Sequence, residues 1–310
     1  MANESVFVRY PGNPIVTAQA VPTANTIFNS AAVPFGKGYA GVFRIDDNEI
    51  LCWLHAGFSD DGIHWKINPD HIQLDRSDPD LVANGRGYDP RVTEIDGVYY
   101  ITWCHYPAGG GPAIGLAKTT DFRRFHLLAD IVQPFNRNAV LFPRKIDGMY
   151  AILHRPSDTG HTPFGEIFYA TSPDLVRWGP HRFVFGTDTR TSWWQSTKVG
   201  PGPTPIETKE GWLVIYHGVR QSCSGFIYCA GGAILDLEKP WKVLYRSKAY
   251  LLAPTAEYER VGDTPNVIFP CGAIVDKTGK LALYYGAADT SVCLAHAQVD
   301  DVISFIKKHS

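Results

Sequence analysis

The chain has 310 residues, with 29 Lys and Arg against 31 Asp and Glu and a formal net charge of -2. That balance leaves no electrostatic footprint for nucleic acid or an anionic membrane surface, and no stretch reaches transmembrane length. Aromatic residues make up 13% of the chain and there are 29 Gly and 22 Pro, a mixture that favours many short strands joined by tight turns.

The N-terminus, Met-Ala-Asn-Glu-Ser, lacks the basic and apolar regions of a signal peptide. The six cysteines, Cys52, Cys104, Cys223, Cys229, Cys271 and Cys293, have no metal-ligand spacing. Free thiols in a reducing compartment are the expectation, and with them a cytoplasmic protein.

Five segments overlay without gaps: Tyr39-Ala-Gly-Val-Phe-Arg44, Tyr99-Tyr-Ile-Thr-Trp-Cys104, Tyr150-Ala-Ile-Leu-His-Arg155, Leu213-Val-Ile-Tyr-His-Gly218 and Leu281-Ala-Leu-Tyr-Tyr-Gly286. The last four follow Asp96-Gly97, Asp147-Gly148, Glu210-Gly211 and Thr278-Gly279, which predict β-hairpins. A further strand and an aromatic-closed turn come next, at Ser59–Trp65, Thr120–Phe125, Ser172–Trp178 and Asp236–Trp241. Asp301–Phe305 is a weaker fifth such turn, and Val302–Lys308 is the one candidate for a short terminal helix. An uneven repeat of about 50 to 70 residues suits four-stranded propeller blades. The expected fold is all-β, a single five-bladed β-propeller spanning residues 1–310. A β-sandwich, the rival, does not predict five copies of one unit.

Asp89, in Gly87-Tyr88-Asp89-Pro90-Arg91-Val92, is the anchor. Asp is a poor strand former, and Pro enters a sheet only at an edge, a strand start or a bulge. Singly this reads as a strand-entry turn. Ten residues before each repeat, however, stand Asn29, Asp89, Val140, Pro203 and Cys271, which the overlay places on the five strands nearest the channel. Asp89 is the only carboxylate among them, in a place where side chains converge.

Arg44 and Arg155 end their repeats at equivalent positions, and Arg137, Lys198 and His217 fall near the same level. Each alone reads as a surface cation. Together they suggest an anion site, phosphate being the obvious anion. An inverting glycosidase needs two carboxyl groups, one acting as base on water. Phosphate acting as its own nucleophile needs one acid and a cationic cradle, which is the set observed. Asp289 is a second acid, read either as a sugar-hydroxyl ligand or as a loop residue capping a turn.

These residues resemble glycoside hydrolase family 130, the β-mannoside phosphorylases and their relatives. The matching pieces run from Asn13-Pro14-Ile15-Val16 through Phe28-Asn29-Ser30-Ala31-Ala32, Tyr88-Asp89-Pro90-Arg91-Val92 and Leu153-His154-Arg155-Pro156. They continue through Lys198–Ile206 and Gly211–Gly218 to Asp289. The resemblance implies Asp89 as general acid and Arg137, Arg155, Lys198 and His217 as phosphate ligands. It implies Asn29, Ser30, Arg44 and Asp289 around the mannosyl unit, and Tyr88, His161, Tyr228 and Phe269 lining the neighbouring or acceptor region. Many members carry Glu where this chain has Tyr88, which bears on acceptor choice rather than on the acid. Hydrolytic branches of the family lack parts of the phosphate set, which this chain retains in full.

The expected reaction is inverting phosphorolysis of a non-reducing-end β-mannoside to α-mannose 1-phosphate. The β-1,4 linkage to mannose, glucose or N-acetylglucosamine stands first and the β-1,2 linkage second. Inorganic phosphate is the co-substrate, with no metal or organic cofactor, and the family often forms homo-oligomers. Two other readings stay open: a hydrolase with Glu166 or Asp158 as base, and a non-catalytic sugar-binding propeller. Trp193-Trp194 and His161-Thr162-Pro163-Phe164 either shape the acceptor subsite or simply pack a blade.

Overall fold

The computed structural model describes residues 5–76, 85–107, 110–157 and 165–310. Its strands form five sheets of four or five strands each, arranged as a five-bladed β-propeller. The first blade is Ala24–Phe35, Gly38–Asp47, Cys52–Ser59 and Lys66–Ile67. The second is Tyr88–Ile95, Val98–His105, Ala113–Thr119 and Phe125–Val132, with Leu74–Arg76 added in parallel at its outer edge. The third is Asn136–Leu141, Tyr150–Pro156, Ile167–Ser172 and Arg182–Phe185. In the fourth, Lys198–Pro201 and Ile206–Thr208 both pair with Gly211–Ser222, followed by Gly225–Leu235 and Val243–Arg246. The fifth is Ile268–Val275, Lys280–Ala287 and Ser291–Gln298, and its outer strand is Val8–Arg9 from the N-terminus.

Each of the five overlaid segments is the second strand of a blade. The hairpins ahead of them follow from left-handed backbone at the turn, as at Asp96 (φ 53°) with Gly97 (φ 78°) and Asp147 (φ 50°) with Gly148 (φ 72°). The aromatic-closed corners share one chemistry, in which an Asp side chain accepts two successive amides. Asp61 takes Ile63 and His64, Asp121 takes Arg123 and Arg124, Asp174 takes Val176 and Arg177, and Asp236 takes Glu238 and Lys239.

The fifth corner expected at Asp301–Phe305 is not a corner. It lies inside a helix, Val299–Lys308, that begins three residues before the expected start. The reason is topological: the N-terminal strand already supplies the outer edge of the fifth blade, so the chain need not turn to add one. Val302, Ile303 and Ile306 are buried in a core shared with Leu213, Ile234, Leu251 and Leu281.

The closure is tied by a buried carboxylate. Glu259, on the short helix Glu257–Arg260, pairs with Arg9 at 2.7 and 2.9 Å and accepts Tyr285 Oη at 2.9 Å. Its second oxygen also accepts the amides of Thr255 and Ala256.

The inner strands share one irregularity. Between Phe28↔Arg44 and Ala31↔Val42, two residues (Asn29 and Ser30) face the single residue Phe43. In the same way Asp89 and Pro90 face Trp103, and Asn138 and Ala139 face His154. These are β-bulges whose first residue has left-handed backbone: φ is 42° at Asn29, 54° at Asp89 and 54° at Asn138. Asn and Asp tolerate that conformation better than other residues with side chains. The carboxylate before a proline, odd in a strand, is thus a bulge.

Candidate active site

The three bulges bring Asn29, Asp89 and Asn138 into direct contact. The amide nitrogen of Asn29 donates to one oxygen of Asp89 at 2.8 Å, and that of Asn138 donates to the other at 3.2 Å. Arg44 adds a charged hydrogen bond to the first oxygen at 3.0 Å. Arg44 is itself held by Asp46, through Nε and Nη2, both at 2.9 Å. Burial works against the Arg44 charge, but the bonds to Asp46 and the charge of Asp89 outweigh it and raise its pKa well above the usual value. The Asp89 carboxylate is therefore held by three donors from two neighbouring blades and is itself nearly buried.

Above it opens a cavity of about 290 Å³. Asn29, Arg44, Tyr88, Asp89, Arg137, Arg155, Lys198, Tyr228, Phe269 and Asp289 all line it. The sequence thus anticipates most of the wall. Asn138, Cys52, Tyr106 and Val267 also line it and were not anticipated. For Asn138 a signal existed: counting back ten residues lands on Val140, a core residue paired with Leu153, while the bulge-compatible Asn stands two positions earlier.

Two predicted residues lie behind the wall. Ser30 is buried and its hydroxyl donates to the Phe28 carbonyl at 2.9 Å. His217 is fully buried beside Arg155, with Nε2 2.8 Å from Arg155 Nη1. Because the guanidinium can only donate, Nε2 is the acceptor and the imidazole is neutral. Burial, then the charges of Arg155, Arg91 and Lys198, hold its pKa well below the ordinary value. Its ring stacks on Phe269 at 4.5 Å. A Cβ at Gly200 would stand 2.6 Å from that imidazole and 2.9 Å from Arg155 Nη1, so only glycine lets the Lys198–Pro201 strand pass this close. His161, with Asp158 and the segment through Phe164, lies outside the described residues.

The cations gather on the third and fourth blades. Arg137 and Arg155 are cross-strand partners, and Lys198 begins the next inner strand. Burial, aided by Arg137, lowers the Arg155 pKa against the opposing effect of Tyr228. A bound anion would relieve that repulsion. Asp289, also at positive φ (49°), is pushed up to about 6 by burial, with the Asp89 charge adding to it and Arg44 opposing it.

Other candidates fall elsewhere. Glu166 does not line the cavity; its carboxylate packs against Gly186 in the third blade. Trp194 stacks on Tyr216 at 6.0 Å and donates to the Lys248 carbonyl at 2.7 Å, so it packs the fourth blade. Trp193 is exposed and lines no part of the cavity.

Comparison with known proteins identifies the family. The profile of glycoside hydrolase family 130, described as β-1,4-mannooligosaccharide phosphorylase, matches residues 5–308. A β-1,4-mannooligosaccharide phosphorylase of Ruminococcus albus is 52% identical, over 99% of this chain and 92% of that protein. A 4-O-β-D-mannosyl-D-glucose phosphorylase of Bacteroides fragilis is 29% identical, over 91% of this chain and 75% of that protein. Among solved structures, a Listeria innocua β-1,2-mannobiose phosphorylase in complex with β-1,2-mannobiose superposes with a TM-score of 0.84. It is 27% identical, and the match covers 97% of this chain and 99% of that one. With its profile matched nearly end to end, the chain belongs to glycoside hydrolase family 130.

Proposed function

We propose that this protein is a glycoside phosphorylase that cleaves non-reducing-end β-1,4-mannosides with inorganic phosphate, releasing α-mannose 1-phosphate with inversion. The observation that carries the reading is one cavity holding a single bulge-mounted acid, Asp89, next to a cationic wall of Arg137, Arg155 and Lys198. The 52% identity to a β-1,4-mannooligosaccharide phosphorylase supports the linkage.

In this mechanism a phosphate oxygen bonds to the anomeric carbon as the glycosidic bond breaks. The departing acceptor oxygen takes a proton from the acid form of Asp89, directly or through a hydroxyl of the mannose. Asn29, Asn138 and Arg44 hold the carboxylate left behind, and the proton carried by the incoming phosphate restores the acid. The Arg and Lys side chains hold phosphate for attack and screen its charge, so orientation and electrostatics supply most of the acceleration. Asn29, Arg44 and Asp289 hold the mannosyl unit, Tyr88, Tyr228 and Phe269 border it, and His217 supports the phosphate site from behind Arg155. Phosphate is itself the nucleophile, so no base is needed to activate water, and Glu166 does not line the cavity. No metal or organic cofactor enters this scheme. The free thiols of the described chain suit the cytoplasm.

The test is release of mannose 1-phosphate from β-1,4- and β-1,2-mannobiose, with and without phosphate, by wild type and Asp89→Asn. Phosphate-dependent mannose 1-phosphate from the β-1,4 substrate is expected, with the variant slower by about 10²- to 10⁴-fold. Free mannose in the absence of phosphate would establish hydrolysis instead, and sugar binding without turnover a recognition module.

A further inference from the structure

Beneath the cavity lies a charged group to which the mechanism above assigns no task. Arg91 is 1% exposed. All its hydrogen bonds go to backbone carbonyls. Nη1 donates to Asp89 O at 3.0 Å and Pro90 O at 3.1 Å, within its own bulge. Nε donates to Gly202 O at 2.6 Å and Nη2 to Pro201 O at 3.4 Å, both in the fourth blade. The guanidinium carbon stands 5.4 Å from the centre of the Phe269 ring, in the fifth.

The first pair of bonds answers a local need. Register is lost between Tyr88 and Arg91, so the carbonyls of Asp89 and Pro90 drop out of the ladder while remaining buried. Buried carbonyls need partners. The second pair is not local. It reaches the fourth blade at the end of the strand Lys198–Pro201, three residues from Lys198, whose side chain lines the cavity. A planar fork of five donors can serve both ends at once, which a lysine ammonium cannot do in the same geometry.

We propose that Arg91 is a positioning residue that ties the acid-bearing bulge of the second blade to the Lys198 strand of the fourth. It thereby sets the spacing between the proton donor and the phosphate cradle. The functional half of this inference rests on the phosphorylase reading; the mechanical half does not.

The test compares wild type with Arg91→Lys, which keeps the charge and loses the fork. In the folded fraction of R91K, kcat falls about 10- to 100-fold, the loss expected for a misplacement of about 1 Å. KM for phosphate rises several-fold, and KM for the mannoside changes less. Amide hydrogen exchange accelerates in both 85–92 and 198–204. Wild-type kcat and KM per folded molecule, with only a lower melting temperature, would reduce Arg91 to a structural residue and overturn the proposal. Exchange that rises in one segment alone overturns it as well.

Should R91K not fold, wild type alone decides. Phosphate addition slows exchange in 85–92 as well as 198–204 if the tie exists, and in 198–204 alone if it does not. A wild type without turnover defeats the phosphorylase reading, and the exchange measurements still judge the tie.

Discussion

In the first three blades the inner-strand break carries Asn29, Asp89 and Asn138, all at positive φ and all joined to one carboxylate. In the fourth the break is Gly202–Pro205, between the pairs Pro201↔Tyr216 and Ile206↔Leu213, and in the fifth it is Cys271. No polar side chain projects from those two breaks onto the cavity wall; the last two blades reach it through Lys198, Tyr228, Val267, Phe269 and Asp289. The same backbone device thus serves two purposes. Where a short Asx side chain sits on the bulge, backbone conformation fixes the position of the acid, with little rotamer freedom left. Long side chains such as Lys198 and Arg155 instead depend on the packing around them. The acid half is preorganised by backbone, and the cationic half by neighbours such as His217 and Gly200.

Substitutions can break or sharpen that contrast. After Asp89 itself, the largest effect on turnover is expected at Arg155→Met. It removes a cavity-wall cation and leaves His217 Nε2 without its donor. Loss of roughly 10²-fold in kcat/KM for phosphate is expected, the scale of removing one preorganised charge-stabilising donor. An equal loss in affinity for the mannoside would mean that the two halves are not separable.

Glu259→Gln probes the ring closure, remote from the chemistry. Breaking a buried pair by removing one partner costs about 3 kcal/mol. Urea denaturation should show that loss while kcat of the folded enzyme stays at the wild-type value. A change in kcat would show that closure of the ring is felt at the cavity.

Asn138 separates backbone from side chain. Asn138→Ala loses both the left-handed tolerance and the bond to Asp89, whereas Asn138→Gly loses only the bond. The alanine variant should be less stable than the glycine variant by about 1 kcal/mol, and both should lose similar activity, roughly tenfold. Full activity in the glycine variant would mean that the Asp89 carboxylate needs no second amide.

The smallest effect is one of pH. Asp289, held near 6, binds its proton more tightly in the folded state than in the unfolded chain. Its contribution to stability is therefore full below the unfolded pKa and is lost as pH rises through about 6. With Asp289 holding the mannosyl unit as proposed, sugar binding runs the other way, because a carboxylate accepts hydroxyl hydrogen bonds and the acid accepts them less well. kcat/KM for the mannoside should fall as pH drops below about 6, and Asp289→Asn should flatten that limb. An unchanged limb in the variant would assign it to another group.

Much of this was legible in the chain because its causes are local. Asp96-Gly97 and Asp147-Gly148 dictate turns by backbone preference, and the Asp residues at 61, 121, 174 and 236 cap the blade corners with their own side chains. Asp89-Pro90 marks a bulge because neither residue suits a regular ladder. Five such units in series leave a propeller as the economical fold; equivalent blade positions give Asn29, Arg44, Asp89 and Arg155 on the cavity wall, and the family resemblance adds Tyr88, Tyr228 and Phe269.

Tertiary structure alone decided the rest, because the deciding partner is far away in sequence. The fifth outer strand comes from Val8–Arg9 rather than from the C-terminus, since ring closure depends on which edge is free. The bulge in the third blade falls at Asn138 and not Val140, since register is chosen by the whole sheet. His217 ends up behind Arg155, and Arg91 spans to Gly202 across 111 residues of chain, since both respond to burial among other blades. Local preference can place a carboxylate on a strand; only the closed ring determines which donors surround it.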